Sequence, residues 1–448
     1  MTIARLVRWL LLVFLGISAC GYVCPLDAAQ DGIAKKVAIV PFGVPSAGAD
    51  REWLGEGIPH VLVLRLEHLP QLKAAVLPRT ILSGAEGVLN LLDNTDVVRL
   101  FERLRPLGYD ALIFGHFQQF EPSLRAEMHV WMMRPERYLG KVQEQASERD
   151  PDSLGIKLAT FVLSVLQLTP SDPEGRRFAE RYTSSSEAFE RFARALPLAE
   201  MLDDDEDMTQ AVNLFKEAVK LDPKFAMALR QQGELLFRRG HYMGAVEAYQ
   251  SFLSVGRRSP VVYRLLGNAY FAQRDATRAL DVYKRALQLD ARDYQLHLDL
   301  GLTYAALKDY ANATKTFLRA LEFKPDDPLA FANLGVVYLL QGNFPAATAS
   351  LRRAQLLQGS DPVLSYNLGL SYLFEGAYDQ ARDQFGRALQ LKPDFTAAAY
   401  QLALVYERFD TTQAIERWHT YLNLARGKAG EQVWVARAEQ HLQLLQQP

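Results

Sequence analysis

One spacing governs the second half of this 448-residue chain. Gly233, Gly267, Gly301, Gly335, Gly369 and Ala403 stand 34 residues apart. A second register of small residues keeps the same step: Ala245, Ala279, Ala313, Ala347 and Ala381. Large residues travel with both. Tyr270, Tyr304, Tyr338, Tyr372 and Tyr406 come three positions after the first register, and Tyr249, Tyr283, Phe317, Leu351 and Phe385 come four after the second. A period in this range means stacked supersecondary units, because one small unit cannot bury its own apolar face and must bury it against its neighbours. Small residues let paired helices approach, and the large ones fill the gap between them.

Leu266-Gly-Asn-Ala-Tyr270, Leu300-Gly-Leu-Thr-Tyr304, Leu334-Gly-Val-Val-Tyr338 and Leu368-Gly-Leu-Ser-Tyr372, each with Ala-x-x-x-aromatic or Leu downstream, resemble the tetratricopeptide repeat. That resemblance implies a right-handed α-solenoid of helix pairs over residues 187–448, with about seven repeats and a capping helix at Glu431–Leu445. Ser259-Pro260, Asp327-Pro328 and Asp361-Pro362 each supply an N-cap and a first-turn proline where a repeat begins. The first unit is atypical and carries the acidic run Asp203–Asp207, read as a solvated loop capping the next helix, since a calcium loop would need a central Gly and a distal Glu. The last unit is one residue short, with Ala414 and Trp418 in the small and aromatic roles.

Upstream, residues 33–168 alternate strand-like and helix-like patterns. Lys36–Phe42, Lys73–Leu77, Ala111–Phe120, Leu124–Met133 and Lys141–Ser147 read as strands, and Ile58–Leu69, Val97–Leu107 and Ser153–Leu168 as helices. The order β-α-β-α-β-β-β-α predicts a small α/β domain with a mixed sheet. Val37–Phe42, Gly55-Glu-Gly-Ile-Pro59 and Gly108–Gly115 resemble the amino-terminal domain of TolB, which implies a partner-binding module with no catalytic residues to carry over. Gly55-x-Gly57 reads as a plain turn opening a helix. Residues 169–186, with two prolines and Ser184-Ser185-Ser186, read as a linker, and Ser184-x-x-Glu187 as a capping box.

The first 29 residues read as an address. Arg5 and Arg8 precede an uncharged stretch from Trp9 to Leu26, long enough for a secretory signal and marginal for a membrane span. Ile17-Ser-Ala-Cys20 resembles a bacterial lipobox, which implies lipidation at Cys20; Gly21 after it resembles lipoproteins sorted to the outer membrane. Cleavage near Ala19 or Ala28, a retained anchor, and a Cys20–Cys24 disulfide stay open. In every version the rest of the chain is exported to the periplasm.

Composition closes off other chemistries. The formal net charge is −2, against the strong basic excess that phosphate neutralisation by a nucleic-acid binder requires. Cys20 and Cys24 are the only cysteines, so no disulfide framework or thiol nucleophile exists beyond them. His60, His68, His116 and His129 lack metal-ligand spacing; His116 and His129, flanking one turn, read as a half-exposed strand pair. No GxSxG, HExxH or Walker A pattern occurs. The expectation is a non-enzymatic scaffold, with no cofactor, metal or small-molecule substrate. A signalling subunit of an envelope complex and an enzyme with an unrecognised site in the α/β domain are the competing readings.

The partner surface is expected on the helix face defined by positions three before, one after and four after the glycine register. It starts polar, with Arg230, Arg264 and Asn268, and continues apolar through Leu298, Leu302, Val336, Leu339, Tyr366, Leu370, Leu373, Tyr400 and Leu404. Arg264 and Asn268 resemble part of a carboxylate clamp, but Asp299 in the next repeat would repel a carboxylate. An apolar groove would take an amphipathic helix or apolar segment of a protein partner. The competing outcome is that the closing helix or the amino-terminal domain already covers it.

Overall fold

A computed structural model describes residues 34–44, 51–69, 71–78, 100–120, 123–201 and 204–446. The expected leader, with Cys20 and Cys24, lies outside the described residues, as does Asp203. Two compact units divide the rest, one running to Ala269 and one beginning at Tyr270.

The first unit opens with a five-stranded mixed sheet in the order β2-β1-β3-β4-β5. Its strands are β1 (Lys35–Ile39), β2 (Leu72–Val76), β3 (Ala111–Phe120), β4 (Ser123–Met133) and β5 (Glu136–Ser147). β1 pairs parallel with β2 and β3, while β3, β4 and β5 run antiparallel. Helix α1 (Trp53–Leu66) supplies the crossover that parallel neighbours require. Helix α2 (Pro151–Val165) packs beside it on the same face, where Val37, Ile39, Ala126, Met128 and Val130 join Ile58, Leu62, Leu158 and Val162 in one core. The opposite face meets Leu100, Phe101 and Leu104.

Gly55 and Gly57 lie inside α1 rather than in a turn before it. They are close-approach residues: a Cβ on Gly55 would stand 2.4 Å from the Phe42 carbonyl oxygen, and one on Gly57 2.7 Å from that of Ala193. The turn reading fails because a doubled glycine looks the same whether it frees the backbone or thins it.

Residues 169–186 are a packed strap rather than an open linker. They contain a short helix, α3 (Asp172–Phe178), and bury Phe178, Tyr182 and Thr183. Arg65 of α1, fully buried, donates to the carbonyls of Phe178 and Glu180 at 3.0 Å each and pairs with Asp152 of α2. The Tyr182 ring lies 4.1 Å under its guanidinium, and Asp152 also accepts the Tyr182 amide at 2.6 Å. The two prolines and the serines signalled a loop; the aromatics between them decide its burial.

Helices then follow in pairs: α4 (Ser186–Glu200) with α5 (Asp205–Leu221), and α6 (Ala226–Arg238) with α7 (Tyr242–Ser254). α4 packs on α1, with Trp53 edge-on to Phe189 at 6.4 Å, and one apolar core runs from the sheet to Leu235. The cap of α4 is Ser185, which accepts from Ala188 N at 3.2 Å; with alanine in the third position the expected Ser184–Glu187 capping box gives way to a single serine cap. Asp204 caps α5 through the amides of Glu206 and Asp207, the capping role expected of the acidic run.

Helix α8 (Pro260–Ala272) leads into the second unit: α9 (Ala276–Leu289), α10 (Tyr294–Ala306), α11 (Tyr310–Phe323), α12 (Pro328–Gln341), α13 (Phe344–Leu357), α14 (Pro362–Glu375), α15 (Tyr378–Leu391), α16 (Thr396–Tyr406), α17 (Thr411–Ala425) and α18 (Gln432–Leu445). The 34-residue period has a direct geometric cause. Within a pair, the glycines of the register face the large residue sixteen positions on at four sites: a Cβ would stand 2.5 Å from the Tyr249 ring at Gly233, 2.5 Å from the Phe317 ring at Gly301, 2.6 Å from Leu351 at Gly335 and 2.7 Å from the Phe385 ring at Gly369. Asp327 and Asp361 cap α12 and α14 with proline in the first turn, and Asp275, Asp293, Asp309 and Asn343 cap α9, α10, α11 and α13. Together these helices form a tetratricopeptide-like solenoid, preceded by the mixed sheet.

Candidate interaction site

The structure divides the twelve face residues by burial. In the first unit, Arg230, Arg264 and Asn268 are half-buried. Arg230 donates from Nε to Glu234 at 2.8 Å, one turn further along α6. Burial opposes its charge, but Glu234 and Glu67 outweigh that and hold its pKa above the ordinary arginine range. Arg230 is therefore one half of a neutralised pair rather than a free cation.

In the second unit, Leu298, Leu339, Tyr366, Leu370 and Tyr400 are buried, whereas Leu302, Val336, Leu373 and Leu404 are half-buried. The burial follows from packing. α14 is buried continuously from Leu364 to Ser371, and α16 from Ala397 to Ala403. Tyr366 packs against Phe385 and Phe395 at 5.8 and 5.1 Å. Tyr400 is enclosed edge-on by Trp418, Tyr421 and Trp434 at 5.0 to 5.2 Å. Trp434 belongs to the closing helix α18, so at Tyr400 the chain covers its own face. Glu407 fixes that end by accepting from Trp418 Nε1 at 2.8 Å and bonding His441 Nδ1 at 2.9 Å. Of the nine positions in this unit only Leu302, Val336, Leu373 and Leu404 keep partial exposure.

Asn333, Asn367 and Gln401, a buried amide row at the same period on the same helices, did not emerge from the sequence reading. The signal was present, since they precede the register by two residues each time. Burial and the neighbouring Gln401 side chain set the Tyr366 hydroxyl: burial dominates and pushes its pKa up.

The histidines separate. His60 is buried in α1, with Nδ1 2.6 Å from the Glu56 carbonyl and Nε2 3.3 Å from Glu200 of α4. Burial opposes its protonation, yet these acceptors raise its pKa. His68 follows α1 and is half-buried. His129 is buried rather than half-exposed, and its ring stacks on Phe114 at 5.1 Å. His116, half-buried on β3 opposite Glu127, is the diagonal neighbour of His129 on the same face of the sheet, close enough to lower the His129 pKa. Among the described residues no group of three or more His, Cys, Asp or Glu side chains could hold a metal ion, and no helix is long and apolar enough to cross a membrane.

The profile of the family described as the cilia and flagella-associated protein 70 C-terminal domain matches residues 187–440, more than half of the chain. The chain belongs to that family. The matched residues of this C-terminal domain family take in the helix pairs from α4 onward and most of α18. The tetratricopeptide repeat protein from Parabacteroides merdae is 16% identical over 57% of this chain and 99% of its own, with a TM-score of 0.44. MamA from Desulfovibrio magneticus RS-1 is 22% identical over 38% of this chain and 97% of its own, with a TM-score of 0.37. YrrB, described as a TPR protein with an unusual peptide-binding site, is 20% identical over 42% of this chain and 96% of its own, with a TM-score of 0.37. No curated protein matches the chain in sequence. The chain is a tetratricopeptide-repeat protein, a fold consistent with a protein-interaction scaffold.

Proposed function

We propose that the chain is a non-enzymatic adaptor exported to the bacterial cell envelope, held at the membrane by a lipid on Cys20, with a TolB-like module in front of its repeats. It holds an apolar segment or amphipathic helix of a protein partner on the stripe of Leu302, Val336, Leu373 and Leu404. The observation that supports this reading is selective exposure: these four stay half-buried while Tyr366 and Leu370 between them are fully packed. Apolar side chains left partly in water along successive repeats gain free energy when a partner covers them, about 25 cal/mol per Å² removed from solvent.

Photo-crosslinkers at Val336 and Leu404 in cells should capture one protein that a crosslinker at Leu318, exposed on α11, does not. Val336→Asp should abolish capture at Leu404 with the melting temperature unchanged. Equal capture from all three positions would overturn the stripe. The anchor is tested separately by mass spectrometry of the mature amino terminus: an acyl-glyceryl mass on Cys20, with release to the soluble fraction in Cys20→Ala, is expected. An unmodified terminus after residue 19 or 28 would remove the lipid from the reading and leave the stripe untouched.

A further inference from the structure

The face of the sheet turned away from α1 and α2 carries a cluster with no part in the partner stripe. Along β4 the side chains alternate, so Ala126, Met128 and Val130 enter the core while Glu127 and His129 emerge on the other side. His129 lies between two partners: its Nε2 is 2.9 Å from Glu127 Oε1 and its Nδ1 is 3.0 Å from the Tyr138 hydroxyl of β5. Glu127 also accepts from Lys141 Nζ at 3.3 Å and from Gln143 Nε2. Pairing of β4 with β5 produces this convergence by setting His129 opposite Lys141 and Glu127 opposite Gln143.

The network assigns the protons. Burial works against a charge on Glu127, but the Gln143, Lys141 and His129 donors outweigh it and hold the carboxyl below its ordinary range. An ionised carboxylate only accepts, so His129 Nε2 carries the hydrogen and Nδ1 offers a lone pair. Tyr138 O–H therefore donates to Nδ1. The base and its orienting acid are sealed, Glu127 at 6% and His129 at 8% exposure, while Tyr138 is 42% exposed. Trp131, its ring centroid 5.1 Å from that of Tyr138, forms an apolar wall beside the hydroxyl.

An exposed hydroxyl, a base in hydrogen-bond reach of it, and a third group orienting the base together form the arrangement that activates an oxygen nucleophile. We propose that Tyr138 is a stoichiometric acyl acceptor, activated by His129 as general base with Glu127 as its positioning residue, and that its donor class is an aryl or similarly activated ester. The Tyr138 oxygen attacks the ester carbonyl carbon and its proton passes to His129 Nδ1. The tetrahedral adduct then collapses, the carbon–oxygen bond to the leaving group breaks, and the departing oxygen takes the proton from His129. The products are O-acyl Tyr138 and the free alcohol; nothing is oxidised or reduced. Glu127 stabilises the transient imidazolium through Nε2–H.

Incubating the full chain with p-nitrophenyl acetate tests this. The expected result is one equivalent of p-nitrophenolate released per chain, with the acetyl group mapped to Tyr138. Burial chiefly, with Lys141 and His116 adding and Glu127 opposing, lowers the His129 pKa, while burial and Glu127 raise that of Tyr138. The rate should therefore level off by about pH 7, where a histidine is already free base. A rate that keeps climbing towards the phenol's own ionisation would show plain phenolate chemistry and overturn the proposal. His129→Gln, which can still bridge Glu127 and Tyr138, should keep the melting temperature and slow Tyr138 acetylation by roughly 10²-fold or more. An unchanged rate in that variant, or label confined to lysines, would also overturn it. If His129→Gln does not fold, the pH profile of the unsubstituted chain decides.

Discussion

The sheet unit and the repeat helices both rely on glycine for tight packing, but against different neighbours. At Gly301, Gly335 and Gly369 the close atom belongs to a side chain of the same helix pair, whereas at Gly55, Gly57 and Gly115 it is a backbone carbonyl oxygen. A side chain can shift by a rotamer; a carbonyl moves only with its strand or helix. The repeat helices should therefore tolerate local change that the sheet unit does not, and the difference can be attacked from both sides.

The largest effect should come from the ion pair that ties the strap to the sheet. Asp152→Ala leaves Arg65 charged and fully buried, a situation that costs about 3–5 kcal/mol. Residue-resolved hydrogen exchange on the full chain should show that loss in α1, α2 and residues 178–183, with α12 to α15 unaffected. Uniform loss along the chain would remove the distinction between the regions. A smaller contrast is expected from a matched pair of substitutions. Gly57→Ala forces α1 from α4 and should cost about 1–3 kcal/mol, as overpacking does. Gly335→Ala presses mainly on the Leu351 side chain, with the Ala347 carbonyl oxygen less crowded at 3.3 Å, and gains about 1 kcal/mol of helix propensity, so its net cost should be the smaller of the two. Equal penalties at the two sites would sink the argument from carbonyl and side chain.

Acid should produce the smallest effect in the repeats, at two helix caps. Asp275 and Asp309 cap α9 and α11, and hydrogen bonds from the residues they cap hold both carboxyls below the ordinary aspartate range. A depressed folded-state pKa contributes stability above the unfolded value, near 3.9, and that contribution fades as pH falls through the folded value. Hydrogen exchange at the amino-terminal turns of α9 and α11 should stay constant from neutral pH to about pH 4 and quicken below it, after correction for the intrinsic pH dependence. Quickening that begins near pH 6 would point to histidine instead.

The same contrast explains what could be read in the sequence. Packing of a large side chain against glycine is written once per repeat at a constant offset of sixteen, so the helix pairs, their proline starts and their filler residues were all legible. The strands were legible too, β3 to the residue, because alternation and bounding turns are local. Carbonyl-against-glycine packing leaves no periodic trace, which is why Gly55 and Gly57 read as a turn. The partner face was legible as a direction but not as a surface, because spacing within one helix does not say how closely its neighbours approach. Tyr366, Leu370 and Tyr400 share the face with Val336 yet are spent on packing. The Glu127–His129–Tyr138 network needed the register of β4 against β5, which no single strand contains.

The core that runs from the sheet to Leu235 bears on how such a chain can be inherited. Family resemblance begins at residue 187, as though a gene could be cut there and the repeats moved to another protein. A fragment starting at that codon would carry Phe189 and Ala193 without the Trp53 and Gly57 they rest on, and would lose the strap anchored by Arg65. Recombination at that boundary would thus deliver an exposed aromatic edge, whereas an exchange that kept residues 34–254 together would carry the first two helix pairs whole. The smallest portable segment at this end of the gene is longer than the repeat.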